Sequence, residues 1–173
     1  MNRRSFLKAV GAISGTTVVT AGAGCLEEDA DVEAANEFGY DTYRQSGVDV
    51  PLVPVVDAAE WFDDDTTDVV FADTRSQEAY EDARIAGAVF SPAPEGLSSG
   101  DPFESISPET RIVTYCVCPH SLATSRGASL IKEDYLHTYA LDEGLQGWAS
   151  DDLPMEGEDP TLLHLDAEYH TES

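Results

Sequence analysis

The run "DVVFADTR", residues 68–75, most limits what this chain can fold into. Its apolar residues are consecutive and give way at once to Asp73 and Arg75. A half-exposed strand alternates, whereas a strand covered on both faces reads as a continuous apolar run. Double cover requires helices on two sides, and the chain supplies them in turn. "VPVV" (53–56) predicts a short strand and "DAAEWFDD" (57–64) a helix with Asp57 as N-cap. "SQEAYEDA" (76–83) predicts a helix capped by Ser76, "GAVFSP" (87–92) a strand, and "RIVTYC" (111–116) another. A helix over "LATSRGASLIKEDY" (122–135), a strand over "TYALD" (138–142) and a short helix over "GLQGWASDD" (144–152) complete the alternation. The fold class is therefore α/β, three layers with a mostly parallel central sheet flanked by helices. Ligands of such sheets sit beyond the carboxyl ends of the strands, which is where Cys116 falls.

Charge separates a folded chain from a disordered one. There are 34 acids against 9 bases, a net of −25, with 42% of residues hydrophobic. Three of the bases, Arg3, Arg4 and Lys8, open the chain; beyond residue 24 six bases face all 34 acids, a net of −28. The acids are interleaved with apolar runs, so a core is still encoded. Self-repulsion of this size is tolerable where concentrated salt shortens the screening length to about 3 Å, and a halophilic protein is expected. No basic patch exists, which excludes nucleic acid as a partner.

The first residues read as an address. "MNRRSFLKAVGAISGTTVVTAGAGC" joins a basic segment to a mildly apolar, Gly- and Ala-rich run ending at Cys25. Arg3-Arg4 followed by Ser5-Phe6-Leu7-Lys8 resembles a twin-arginine export signal, and the interrupted run is a poor permanent span. "AGAGC" resembles a lipobox, with Gly22 where Leu is usual. That implies residues 1–24 as signal peptide and lipidation of Cys25, with the export machinery as partner and the extracytoplasmic membrane face as location. A soluble exported protein cut near Ala23 is the alternative. Residues 25–49 read as an acidic tether and lead-in, 50–154 as the domain, and 155–173 as a peripheral acidic tail.

Four segments, in order, resemble the rhodanese domain family over about Val50 to Pro154. "VVFADTRSQEAY" carries Asp73, Arg75, Glu78 and Tyr80. "ARIAGAVF" carries Gly87, with Arg84 for the family's His and Ala86 for its Pro. "IVTYC" is similar to the strand that ends in the family's cysteine. "LDEGLQGW" keeps Leu141, Gly144 and Trp148, with Glu143 for a Gly, and "DLPM" closes the resemblance. It implies a rhodanese-like sulfurtransferase with Cys116 as catalytic residue, carrying sulfane sulfur as a persulfide. Partners would be a small sulfur donor or acceptor, or a protein thiol, with no cofactor and no metal. The active-site loop would comprise Val117, Cys118, Pro119, His120, Ser121 and Leu122, with Arg126 a candidate substrate contact. Asp73, Arg75, Gly87, Gly144 and Trp148 would be structural.

The residues themselves allow more than one chemistry. A cysteine between a strand and a helix N-terminus faces groups that favour its reactive thiolate; a buried structural thiol is the other reading of Cys116. Cys118 could resolve an oxidised or sulfur-loaded Cys116, join a metal site, or stand by. A structural zinc wants four ligands. "CVCPH" offers two sulfurs and His120, and His137, His164 and His170 lack motif spacing to them. A cysteine phosphatase is excluded, because six residues beyond Cys116 is Leu122 and six beyond Cys118 is Thr124, where an Arg is needed. The loop has no Lys or Arg, so a dianionic donor such as thiosulfate would be repelled except at high salt. A protein persulfide or small thiol persulfide is the alternative donor. A rhodanese-fold binding or sensor module without turnover, or a thiol-redox or metal-handling site, remains the competing function.

Overall fold

The computed structural model describes residues 32–117 and 120–160, all within one of the two units into which the chain divides, Asp31–Ser173. The export signal, Cys25, Cys118, Pro119 and the tail beyond 160 lie outside the described residues. Strands β1 (Thr42–Gln45), β2 (Val48–Val53), β3 (Val69–Asp73), β5 (Val89–Phe90), β6 (Arg111–Tyr115) and β7 (Thr138–Leu141) form one sheet in the order β1-β2-β7-β6-β3-β5. Only the β1–β2 pair is antiparallel; β2–β7, β7–β6, β6–β3 and β3–β5 run parallel. The parallel sheet flanked by helices expected from the apolar runs is thus present.

Strand periodicity sorts the core into two sides. Val53, Phe71, Val113, Tyr115, Tyr139 and Leu141 join one buried cluster with Val55, Ala58 and Trp61 of α1 (Val55–Asp63) and Leu145, Trp148 and Ala149 of α4 (Gly144–Ser150). Val48, Val50, Leu52, Ala140 and Cys116 join another with Ala123, Ala128 and Ile131 of α3 (Leu122–Lys132). Trp148 is fully buried and donates its indole N–H to the Pro154 carbonyl at 3.1 Å. Among the described residues no helix is long and apolar enough to cross a membrane.

Several boundaries differ from expectation. "VPVV" is not a strand: β2 runs earlier, Val48–Val53, and α1 begins at Val55 after Pro54 as N-cap. Proline has no N–H and suits the extended cap residue that precedes a helix. Asp57 is therefore inside the first turn, where its carboxylate accepts the Tyr40 hydroxyl at 2.7 Å. Burial, then that carboxylate, raises the Tyr40 phenol well above its ordinary range. The lead-in is also not solely a tether. Val32 and Ala34 pack on the α3-side cluster, and the Ala35 carbonyl accepts the Tyr139 hydroxyl. Nor is the start of the tail peripheral, because β8 (Met155–Glu156) pairs antiparallel with β4 (Arg84–Ile85). There Arg84 reaches Glu156 at 2.8 Å and covers the Tyr80 ring. The short α2 (Gln77–Asp82) is capped as expected, Ser76 accepting from the Ala79 N–H.

Candidate functional site

Two turns leave the carboxyl ends of adjacent strands β3 and β6. Asp73, the last residue of β3, is fully buried, and Arg75 in the turn nearly so. The guanidinium Nε and Nη2 donate to the Asp73 carboxylate at 3.0 and 2.6 Å, and Nη2 also donates to the carbonyls of Ala79 and Ala83. Thr74 donates its hydroxyl to the Tyr115 carbonyl, tying the turn to β6. The Tyr115 hydroxyl accepts from the Ile85 N–H, and burial first, then the nearby Asp73 charge, pushes this phenol up. These bonds of Nε and Nη2 all end on groups inside the protein. Gly87, between β4 and β5, has a φ of +72° that a side chain would disfavour.

After β6 the chain enters the loop that begins at Cys116. Its residue is 3% exposed and sits in the α3-side cluster with Ala123 and Ala128. The loop is held from the start of α4. The Leu145 N–H donates to the Cys116 carbonyl at 2.8 Å and the Gln146 N–H to the Val117 carbonyl at 3.4 Å. Gly144 makes this approach possible. A Cβ there would stand 2.7 Å from the Val117 oxygen and 2.9 Å from the Cys116 oxygen, and its φ is +64°. In a trans peptide the C=O and the following N–H point in opposite directions. With the Cys116 carbonyl drawn to α4, the Val117 N–H is turned away from α4.

The far end of the loop is held by side chains. His120 has a φ of +75°. Its Nε2 lies 2.8 Å from Asp142 Oδ1, and its ring stacks on Tyr43 at 5.3 Å. Thr124 donates its hydroxyl to the His120 carbonyl. Ser121 occupies the N-cap position of α3 without making a side-chain cap bond. Leu122 and Val117 are exposed apolar residues at either end of the loop. Arg126, by contrast, is not the substrate contact that its place beyond the loop suggests. Its residue is 1% exposed. Nε donates to Ser91 Oγ at 2.9 Å, Nη1 to Glu133 at 3.2 Å, and Nη2 lies 3.6 Å from Asp101. One turn into the helix, it organises the segment around Ser91 and Asp101.

Asp142, Glu143 and Tyr43 escaped the sequence reading as site residues. Glu143, which departs from the family's Gly, accepts the Val55 N–H at 2.9 Å and so caps α1 from another element, in place of the side-chain cap that Pro54 lacks. Gly147 leaves room for it, since a Cβ there would stand 2.4 Å from Glu143 Cβ. The signal for Asp142 was its place at the carboxyl end of a buried strand. Tyr43 gave none.

The sequence profile of the Rhodanese-like domain matches residues 56–151, more than half of the chain. The chain belongs to the rhodanese-like domain family. That is a sulfurtransferase family with many non-catalytic members. Solved structures agree on the fold. A protein from Bacillus halodurans is 21% identical with a TM-score of 0.53, covering 62% of this chain and 77% of its own. The rhodanese-like domain of an Anabaena protein is 20% identical with a TM-score of 0.52, covering 71% and 85%. The thiosulfate sulfurtransferase of Pseudomonas aeruginosa is 19% identical with a TM-score of 0.53, covering 64% of this chain but only 21% of that one. No curated protein matches. β1, with Tyr43, lies outside the matched region of the rhodanese domain.

Proposed function

We propose that this rhodanese domain carries sulfane sulfur as a persulfide on Cys116. The Cys116 thiolate attacks the outer sulfur of a donor. A new S–S bond forms to Cys116, the donor's own bond to that sulfur breaks, and the leaving group departs with the electron pair. An acceptor thiolate then attacks the outer sulfur and returns Cys116 as thiolate. The placement of Cys116 carries the reading. It follows β6 directly and packs against α3, an 11-residue helix whose N-terminus favours negative charge. Its peptide is oriented by Leu145 so that the Val117 N–H is turned away from α4.

The test is intact mass of the full chain in concentrated salt after exposure to a sulfane donor. Wild type and Cys118→Ser should each gain one sulfur, and Cys116→Ser none. Loading that survives Cys116→Ser but not Cys118→Ser would overturn the assignment. The burial of Cys116 favours a second reading, a binding module without turnover, and no gain in any form would select it. The reading also includes export through the Arg3-Arg4 signal, lipid attachment at Cys25, and a surface adapted to concentrated salt. Arg3→Lys with Arg4→Lys should leave precursor inside the cell, and Cys25→Ser should release protein to the medium.

A further inference from the structure

The charges around the loop bear on what can reach Cys116. Asp142 sits two residues before the glycine that touches the Cys116 and Val117 carbonyls, so it stands on the platform that holds the loop. His120 is bound to it at 2.8 Å, the two side chains being 32% and 43% exposed, and Tyr43 covers the imidazole. Glu143 is committed to the Val55 N–H and Arg126 to Ser91, Asp101 and Glu133. Residues 116–122 include no Lys or Arg. The pair is therefore neutral when His120 is protonated and negative when it is not; in neither state does it offer net positive charge. Arg75, at the neighbouring strand end, is paired with the buried Asp73 carboxylate. The N-terminus of α3 adds about half an elementary charge, which matches one negative charge better than two. Val117 and Leu122 add apolar surface, 37% and 42% exposed, at the two ends of the loop.

We propose that the Asp142–His120 pair, covered by Tyr43, selects the sulfur donor, admitting an organic persulfide and disfavouring dianionic thiosulfate. The proposal rests on the sulfur-carrier reading of Cys116. The thiolate attacks the outer sulfur of R–S–S–H; the bond between the two donor sulfurs breaks, R–S⁻ leaves with the electron pair, and the proton stays on the transferred sulfur. Asp142 is the specificity-determining charge, and His120 is the positioning residue that holds it beside the loop. Tyr43 comes from β1, outside the family match, whereas His120 and Asp142 lie within it.

The experiment compares initial rates of sulfur loading on the full chain, read by intact mass, with 2-hydroxyethyl persulfide and with thiosulfate at one pH and at the lowest salt concentration that keeps the chain folded, because salt screens the charge under test. Asp142→Asn keeps an acceptor for His120 but removes the charge. It should shift the rate ratio toward thiosulfate by about 10-fold, the lower end of what local fields do to encounter with charged substrates. Asp142→Glu should restore the wild-type ratio. A merely structural role would slow both donors together and leave the ratio alone. A ratio that Asp142→Asn moves by less than about twofold, as exposed pairs often do, overturns the selector while leaving the carrier intact. If neither donor loads the wild type, the carrier reading falls and the selector falls with it.

Discussion

The turns after β3 and β6 start side by side at the same edge of a parallel sheet, yet they handle charge in opposite ways. The β3 turn buries Asp73 at 0% exposure against a guanidinium that also donates to two carbonyls. It continues into α2 through a working N-cap, Ser76. The β6 loop keeps its ion pair half-exposed and stands at α3 without a side-chain cap. It is fixed instead by backbone N–H groups of α4 and by a ring stack. A buried, hydrogen-bonded pair is costly to disturb and makes a rigid corner. A half-exposed pair contributes little to stability, so the chain can place it for recognition. One turn is scaffold, and its neighbour is where a reactive group can be served.

The contrast can be broken at graded strength. Arg75→Ala leaves Asp73 buried without its partner, and unfolding by denaturant should show a loss of about 3–5 kcal/mol; a loss under about 1 kcal/mol would mean that the β3 corner is no more rigid than the loop. Gly144→Ala imposes a side chain at positive φ and 2.7 Å from the Val117 carbonyl oxygen. It should lose about 1–3 kcal/mol, and sulfur loading should fall more than stability does, since the loop loses its anchor. Equal loading in the variant would show that the α4 contacts do not shape the loop. Ser76→Ala should lose about 1 kcal/mol through its cap. Ser121→Ala, at the same position of the next helix, should change stability by less than about 0.5 kcal/mol, and thermal melts of the two variants compared directly would expose any equivalence between the caps.

The strands of the sheet were readable because burial on both faces leaves a local mark. "DVVFADTR" and "RIVTYC" needed no partner to be recognised, and the place of Cys116 followed from where the second run ends. The Ser76 cap was equally local, a side chain reaching three residues along the chain. The misplaced boundary at "VPVV" had a physical cause: Val55 and Val56 continue the apolar run, while Pro54 turns it from strand to helix. β4 and β8 were invisible, because each is two residues long and their pairing joins Arg84 to Glu156 across most of the domain.

The site divides along the same line. Sequence alone determined the alternation of strands and helices, the strand end that holds Cys116, the glycine at 144 and the lack of a loop base. Tertiary structure decided which charge meets which. Arg126 could be read as loop-facing until Ser91, Asp101 and Glu133 were seen around it. Asp142 became a site residue only when β7 brought it to His120, and Tyr43 only when β1 was laid beside β2. Apolar periodicity reports whether a residue faces a core, and that is a property of a few neighbouring residues. The Asp73–Arg75 pair is local, but the His120–Asp142 pair and the Tyr43 stack depend on distances between segments far apart in the chain, which no local pattern encodes.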